Sequence, residues 1–221
     1  MIFDLDGVIV DSYAAVIDAI NGALAAHGLP RRTPEALRHF IGPPTFRAFS
    51  ELTGEPPDSP AVAEIVETYR ARYGAHYLTQ TRLIDGVGEL LESLSRRRAL
   101  AVATSKSVLF TEPLLRALGI AGHFVAVAAA DPDDTDDDKT AIVARALAAL
   151  DGLSAVMVGD RSFDILAARR HDLTAIGVLW GIGEEAELRG AGADLLVATP
   201  AELLALLSAD DALWARPPRL R

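Results

Sequence analysis

The sequence predicts an α/β fold: a parallel sheet covered by helices, with a helical insertion after the first strand. Two observations carry the sheet. Short apolar runs recur along the chain without strict polar alternation, which suits strands covered on both faces. Each run is followed by a helix-like segment, and alternating strand and helix calls for right-handed crossovers. The insertion rests on a third observation, that only helical patterns occur between Ser12 and Leu83.

In chain order, Ile2-Phe3 is the first strand and runs into Asp4. The insertion reads as helices over Ala14 to His27, Pro34 to Phe40, Thr45 to Thr53 and Ala61 to Tyr77. Gly28-Leu29-Pro30, Gly42-Pro43-Pro44 and Gly54-Glu55-Pro56-Pro57 separate them. The α/β rhythm then returns. Strands are predicted at Leu100 to Thr104, Phe124 to Ala128, Ala155 to Val158, Ala175 to Leu179 and Asp194 to Val197. Helices are predicted at Val87 to Arg97, Val108 to Leu118, Thr140 to Leu150, Asp164 to His171 and Ala201 to Leu207. This divides the chain into a core of residues 1–12 and 84–208, a helical unit of 13–83, and a loosely held tail of 209–221.

Composition narrows the function. The 221 residues carry 31 Asp+Glu against 21 Lys+Arg, a formal charge of −10, and no Cys. Without Cys there are no disulfides, thiolate metal sites or thiol nucleophile. The negative balance argues against a nucleic-acid surface, which needs clustered Lys and Arg. No apolar run reaches the roughly 18 residues of a membrane span, and Asp4, Asp6 and Asp11 interrupt any signal-like start. A cytoplasmic protein is expected, a monomer or homodimer with no membrane or nucleic-acid partner. An acidic protein handling a small anion needs a metal ion or a few well-placed cations.

Four stretches carry chemistry. In IFDLDGVIVDS, Asp4 ends the first strand, Asp6 follows and Gly7 permits a sharp turn. Ligands of parallel sheets bind at the carboxyl ends of strands. Two carboxylates there suit an acid beside an ionised nucleophile. A helix cap or Asx-turn accounts for one Asp, but poorly for two plus Gly7. In VGDRSFD, Asp160 ends another strand and Asp164 lies four residues on, where a helix dipole favours a carboxylate. Taken singly, each is as well explained as a cap. Combined with Asp4 and Asp6 they form a hard oxygen site suited to Mg²⁺. Thr104 and Ser105 end a strand before a helix, where hydroxyl and N–H groups bind phosphate or simply cap. Lys139 opens a helix against the macrodipole, following the acidic run Asp131 to Asp138.

Together these residues resemble the haloacid-dehalogenase-like hydrolase superfamily over essentially the whole chain. Its D-x-D-G element is Asp4/Asp6/Gly7, followed by Thr104, Lys139, and G-D-x-x-x-D at Gly159/Asp160/Asp164. The resemblance implies a Rossmann-like parallel-sheet core with a small α-helical cap. Phe40-Ile41-Gly42-Pro43-Pro44, Ala103 to Lys106, Val158 to Arg161 and Gly177 to Gly181 are similar to its phosphoglycolate-phosphatase and cytosolic 5′-nucleotidase-like branch. Val8 departs from the usual Thr after D-x-D-G, as in β-phosphoglucomutase-like members.

The resemblance implies an Asp4 nucleophile, with Asp6 protonating the leaving alkoxide and then activating water. It implies Mg²⁺ held by Asp4, Asp160 and the Asp6 carbonyl, with Asp164 positioning the cluster, and Thr104, Ser105 and Lys139 on the phosphoryl group. From their position, Gly42 and Arg47 are expected to touch the rest of a small phosphorylated metabolite. Asp6 and Asp160 argue against a dehalogenase. The absence of Lys from Ser12 to Leu83 argues against a phosphonate hydrolase. A phosphomutase-type phosphotransferase is the enzymatic alternative, and a non-catalytic binding module the remaining one.

Overall fold

The computed structural model describes residues 1–133, 138–151 and 155–209. The chain enters as β1 (Ile2–Phe3), turns through β2 (Val10–Asp11) and runs into the helices α1 (Tyr13–Ala26), α2 (Pro34–Leu37), α3 (Thr45–Thr53) and α4 (Pro60–Gln80). It returns through β3 (Arg82–Leu83) to α5 (Val87–Ser95), β4 (Leu100–Ser107), α6 (Val108–Ala117), β5 (Phe124–Ala130) and α7 (Lys139–Ala149). The last elements are β6 (Val156–Gly159), α8 (Ser162–Arg170), β7 (Thr174–Val178), α9 (Glu185–Ala191), β8 (Leu195–Val197) and α10 (Pro200–Ala209).

Six strands form one parallel sheet in the order β5-β4-β1-β6-β7-β8. Successive residues face opposite sides of it and both sides are covered, so the strands are largely apolar until β4 reaches Thr104 to Ser107 at its carboxyl end. Ile2, Ala101, Met157 and Ala175 pack with Ile142, Val143 and Ile165 of α7 and α8. Their neighbours Phe3, Val102, Val158 and Ile176 pack with Leu91 of α5, Leu115 of α6 and Leu203 of α10. Ile2, Leu91, Leu115 and Ile142 are completely buried, each worth about 1.5–3 kcal/mol in transfer terms.

Between β1 and β4 the chain is helical, as the punctuation predicts, with α1 and α3 packed on α4. Phe49, Tyr69, Tyr73 and Tyr77 form a chain of ring contacts along this packing. Phe110 of α6 meets Tyr73 and Tyr77 edge-on, with centroids 5.1 and 5.2 Å apart.

Three features differ from the sequence reading. Val10 and Asp11 pair antiparallel with Leu83 and Arg82, stitching the two ends of the insertion together. Two-residue strands are too short to show a period. The segment Pro34 to Phe40 divides into α2 and a 3₁₀ turn over Arg38–Phe40. The short α9 was not predicted, because only its Leu188 is buried and no apolar stripe marks it. Among the described residues, no helix is long and apolar enough to cross a membrane. Trp214, most of the tail and residues 134–137 of the acidic run lie outside the described residues.

Candidate active site

Strand order reverses around β1, which has β4 on one side and β6 on the other. Such a switch point opens a crevice at the carboxyl ends of the strands. Phe3 is in register with both Val102 and Val158, so Asp4 emerges beside Ala103 and Gly159. The Asp4 N–H donates to the Val158 carbonyl at 2.9 Å, which fixes its backbone. Glycine is required on both flanks. A Cβ on Gly7, whose φ is +83°, would lie 2.2 Å from Asp160 Oδ2. One on Gly159 would lie 2.1 Å from Asp164 Cβ.

Asp4, Asp160 and Asp164 are buried, and each offers a carboxylate oxygen within 4.8 Å of the others. Lys139 bridges two of them, with Nζ 2.6 Å from Asp4 Oδ1 and 2.9 Å from Asp164 Oδ1. The local sequence explains how it arrives there. The Asp138 carboxylate caps α7 by accepting from the Ala141 N–H at 2.9 Å, which starts the helix at Lys139. Asp164, in the first turn of α8, accepts the Arg161 N–H at 3.0 Å.

Burial pushes the Asp4 carboxyl up to about 6, with Lys139 opposing the rise and Asp164 adding to it. Burial also raises Asp160 well above the usual carboxylate range, assisted by repulsion from Asp164 and Asp4. For Lys139 burial works against the charge, but the carboxylates of Asp164 and Asp4 outweigh it and hold the ammonium protonated. Asp160 Oδ2 accepts the Ile182 N–H at 2.6 Å, whereas its buried Oδ1 has no hydrogen-bond partner. An orphaned carboxylate oxygen amid hard oxygen donors, with one lysine for three carboxylates, fits a divalent cation.

Of the carboxylates predicted for the metal, Asp6 alone turns its side chain elsewhere, toward Lys106 and Ser12. It still lines the same crevice as Asp4, which opens between the strand ends and the helical insertion. Thr104, Ser105 and Gly42 line it too. Arg47 does not. It is exposed, because α3 turns Thr45, Ala48 and Phe49 to the crevice and Arg47 lies off that stripe.

Three basic residues were not assigned a role from the sequence. Lys106 and Arg70 line the crevice. Buried Arg161 pairs with Glu187 at 3.0 Å and also donates to the Ile41 carbonyl, tying the loop before Gly42 to the core. Helical spacing offered a signal for Arg70 alone, since it adjoins the Tyr69/Tyr73 stripe of α4.

An α/β core that gathers buried carboxylates, a bridging lysine and a strand hydroxyl at its switch point is built for chemistry on phosphorylated substrates. Residues 1–178 match the family described as haloacid dehalogenase-like hydrolase, and the chain belongs to that family. It is 37% identical over 193 residues to a 5′-nucleotidase of Pseudomonas aeruginosa, covering 86% of each chain. It is 38% identical over 189 residues to the tyrosine-protein kinase PtkA of Mycobacterium tuberculosis, covering 83% of this chain and 62% of that one. The crystal structure of a predicted phosphatase from Clostridium acetobutylicum superposes with a TM-score of 0.88 at 29% identity, covering 94% and 96% of the two chains. Within the family, the chain is a phosphatase.

Proposed function

We propose that the chain is a Mg²⁺-dependent phosphomonoesterase that acts on a small phosphorylated metabolite through an aspartyl-phosphate on Asp4. The observation that carries this reading is the pairing of Asp4 with Lys139 in a crevice that also holds Asp6. The lysine offsets the charge of the attacking carboxylate, and Asp6 keeps its own carboxylate separate for proton transfer. Asp4 and Asp160, with the Asp6 carbonyl, would hold Mg²⁺, and Asp164 would position them. The ion supplies the positive charge that lets a phosphate dianion approach carboxylates.

In the first half-reaction an Asp4 oxygen bonds to phosphorus, the bond from phosphorus to the leaving oxygen breaks, and Asp6 gives that oxygen its proton. In the second, water attacks phosphorus as Asp6 takes its proton, and the Asp4–phosphorus bond breaks to release inorganic phosphate. The Thr104 hydroxyl and Ser105 N–H hold the phosphoryl oxygens. Gly42, on the crevice wall, leaves room for the leaving group.

A phosphoglycolate- or nucleotide-like substrate is favoured. The crevice is partly open to solvent and is lined by both polar and apolar side chains, which leaves room for a leaving group beyond the phosphate. The test is phosphate release from a panel of phosphorylated metabolites, with Mg²⁺ and with excess EDTA. Metal-dependent release from small monoesters is expected. Full turnover in EDTA with metal loss verified, or strict dependence on a sugar bisphosphate activator as in a mutase, overturns the reading.

A further inference from the structure

The Asp6 carboxylate is bracketed. Lys106 Nζ donates to its two oxygens at 3.0 and 2.9 Å, and the Ser12 hydroxyl donates to Oδ1 at 2.5 Å. The Lys106 side chain is only 5% exposed, and its ammonium lies 4.7 Å from the Tyr73 ring centroid. A lysine so placed is engaged before any substrate arrives.

The backbone aims it there. Pairing between β4 and β5 jumps from Thr104↔Ala129 to Ser107↔Ala130, so Ser105 and Lys106 bulge out of the ladder. Bulges beside active sites redirect side chains. This one is pinned at both ends: the Lys106 N–H donates to Thr104 Oγ1 at 3.1 Å, and its carbonyl accepts from the Thr111 hydroxyl at 3.3 Å. The strand end that supplies Thr104 to the crevice therefore also delivers an ammonium to Asp6.

Resting on the phosphatase reading, we propose that Lys106 is a positioning residue for Asp6. With Ser12 it holds the Asp6 carboxylate away from the Asp4–Asp160–Asp164 cluster and turned to the side where the leaving group departs. An unbracketed Asp6 rotates, and the proton transfers in both half-reactions lose their geometry. Displacement of a reacting group by about 1 Å costs on the order of 10²-fold in rate.

A double-mutant cycle tests this. Steady-state kcat and KM are measured for wild type, Lys106→Met, Asp6→Asn and the double variant, on an alkyl phosphate and on p-nitrophenyl phosphate. Lys106→Met is expected to lower kcat on the alkyl ester by ~10–10²-fold and to change KM by less than about threefold. The double variant should be no slower than Asp6→Asn within about threefold, because Lys106 acts only through Asp6. Pre-steady-state release of p-nitrophenol in the first turnover, which needs no proton, is measured as well and should be affected least. Multiplying losses in the double variant overturn the proposal. So does a raised KM with kcat retained, which would make Lys106 a binder of substrate anions. If Lys106→Met does not fold, Lys106→Gln enters the same cycle; it keeps N–H donors, so a smaller loss of kcat is expected, again absent in the double variant with Asp6→Asn. Additivity in an active enzyme defeats only the role of Lys106, whereas a wild type without Mg²⁺-dependent turnover defeats the phosphatase reading and this proposal together.

Discussion

Lys139 Nζ lies 2.6 Å from Oδ1 of Asp4, a residue 135 positions earlier in the chain, and its other carboxylate partner is Asp164 at 2.9 Å. Removing the one cation from such a buried group leaves its carboxylates uncompensated, typically costing about 3–5 kcal/mol. The cost for Lys139→Met should depend on pH. Lys139 holds the Asp4 carboxyl down, so without it that group rises further above its present value of about 6. Ionising a carboxyl whose folded value exceeds its unfolded one destabilises the fold as pH rises. Urea unfolding of the metal-free variant should therefore show a small deficit near about pH 5 and a large one near about pH 8. A pH-independent deficit would contradict this electrostatic account.

Asp4→Asn should fold and show no detectable turnover, since an amide does not attack phosphorus. The substitution also removes a buried carboxylate, so its melting temperature should not fall below that of the wild type measured without metal. Retention of even a few per cent of the wild-type rate, free of contaminating phosphatase, would move the nucleophile elsewhere.

Metal binding should be linked to protons. Asp4 has its value raised from 3.8 to about 6, so the folded metal-free protein holds that proton more tightly than the unfolded chain does. Stability from this group is present at acid pH and lost as pH climbs through about 6. A divalent cation at Asp4 and Asp160 competes with the proton. Thermal melts should thus shift upward with Mg²⁺ more at about pH 7.5 than at about pH 5. Equal shifts at both values would place the metal away from Asp4.

Asp6→Asn should discriminate between leaving groups. General acid assistance is worth ~10²–10⁴-fold and is needed most by an alkoxide. With p-nitrophenyl phosphate the first step should survive while hydrolysis of the aspartyl-phosphate slows, giving a burst of p-nitrophenol and then a slow steady rate. Equal losses on alkyl and aryl esters, with no burst, would reduce Asp6 to a turn-former.

By itself the sequence determined the six parallel strands and placed Asp4 and Asp160 just past the carboxyl ends of two of them, whereas β4 runs on to Ser107, three residues beyond the predicted end at Thr104. Both properties are local: an unalternating apolar run marks a buried strand, and the residue that follows it is the strand end. It determined Asp164 and Lys139 in the same way, as first-turn residues of helices. The tertiary structure decided which of these residues meet, and how. It separated Asp6 from the Asp4–Asp160–Asp164 group, because a bulge between Thr104 and Ser107 turns Lys106 onto the Asp6 carboxylate. It put Arg70 rather than Arg47 on the crevice wall, because the faces of α3 and α4 are fixed by their packing in the helical insertion. It joined Arg161 to the Ile41 carbonyl, a partner 120 residues away on the other side of the crevice. Periodicity encodes which face of an element is apolar; bulges and packing between distant elements set the partners of a charged side chain.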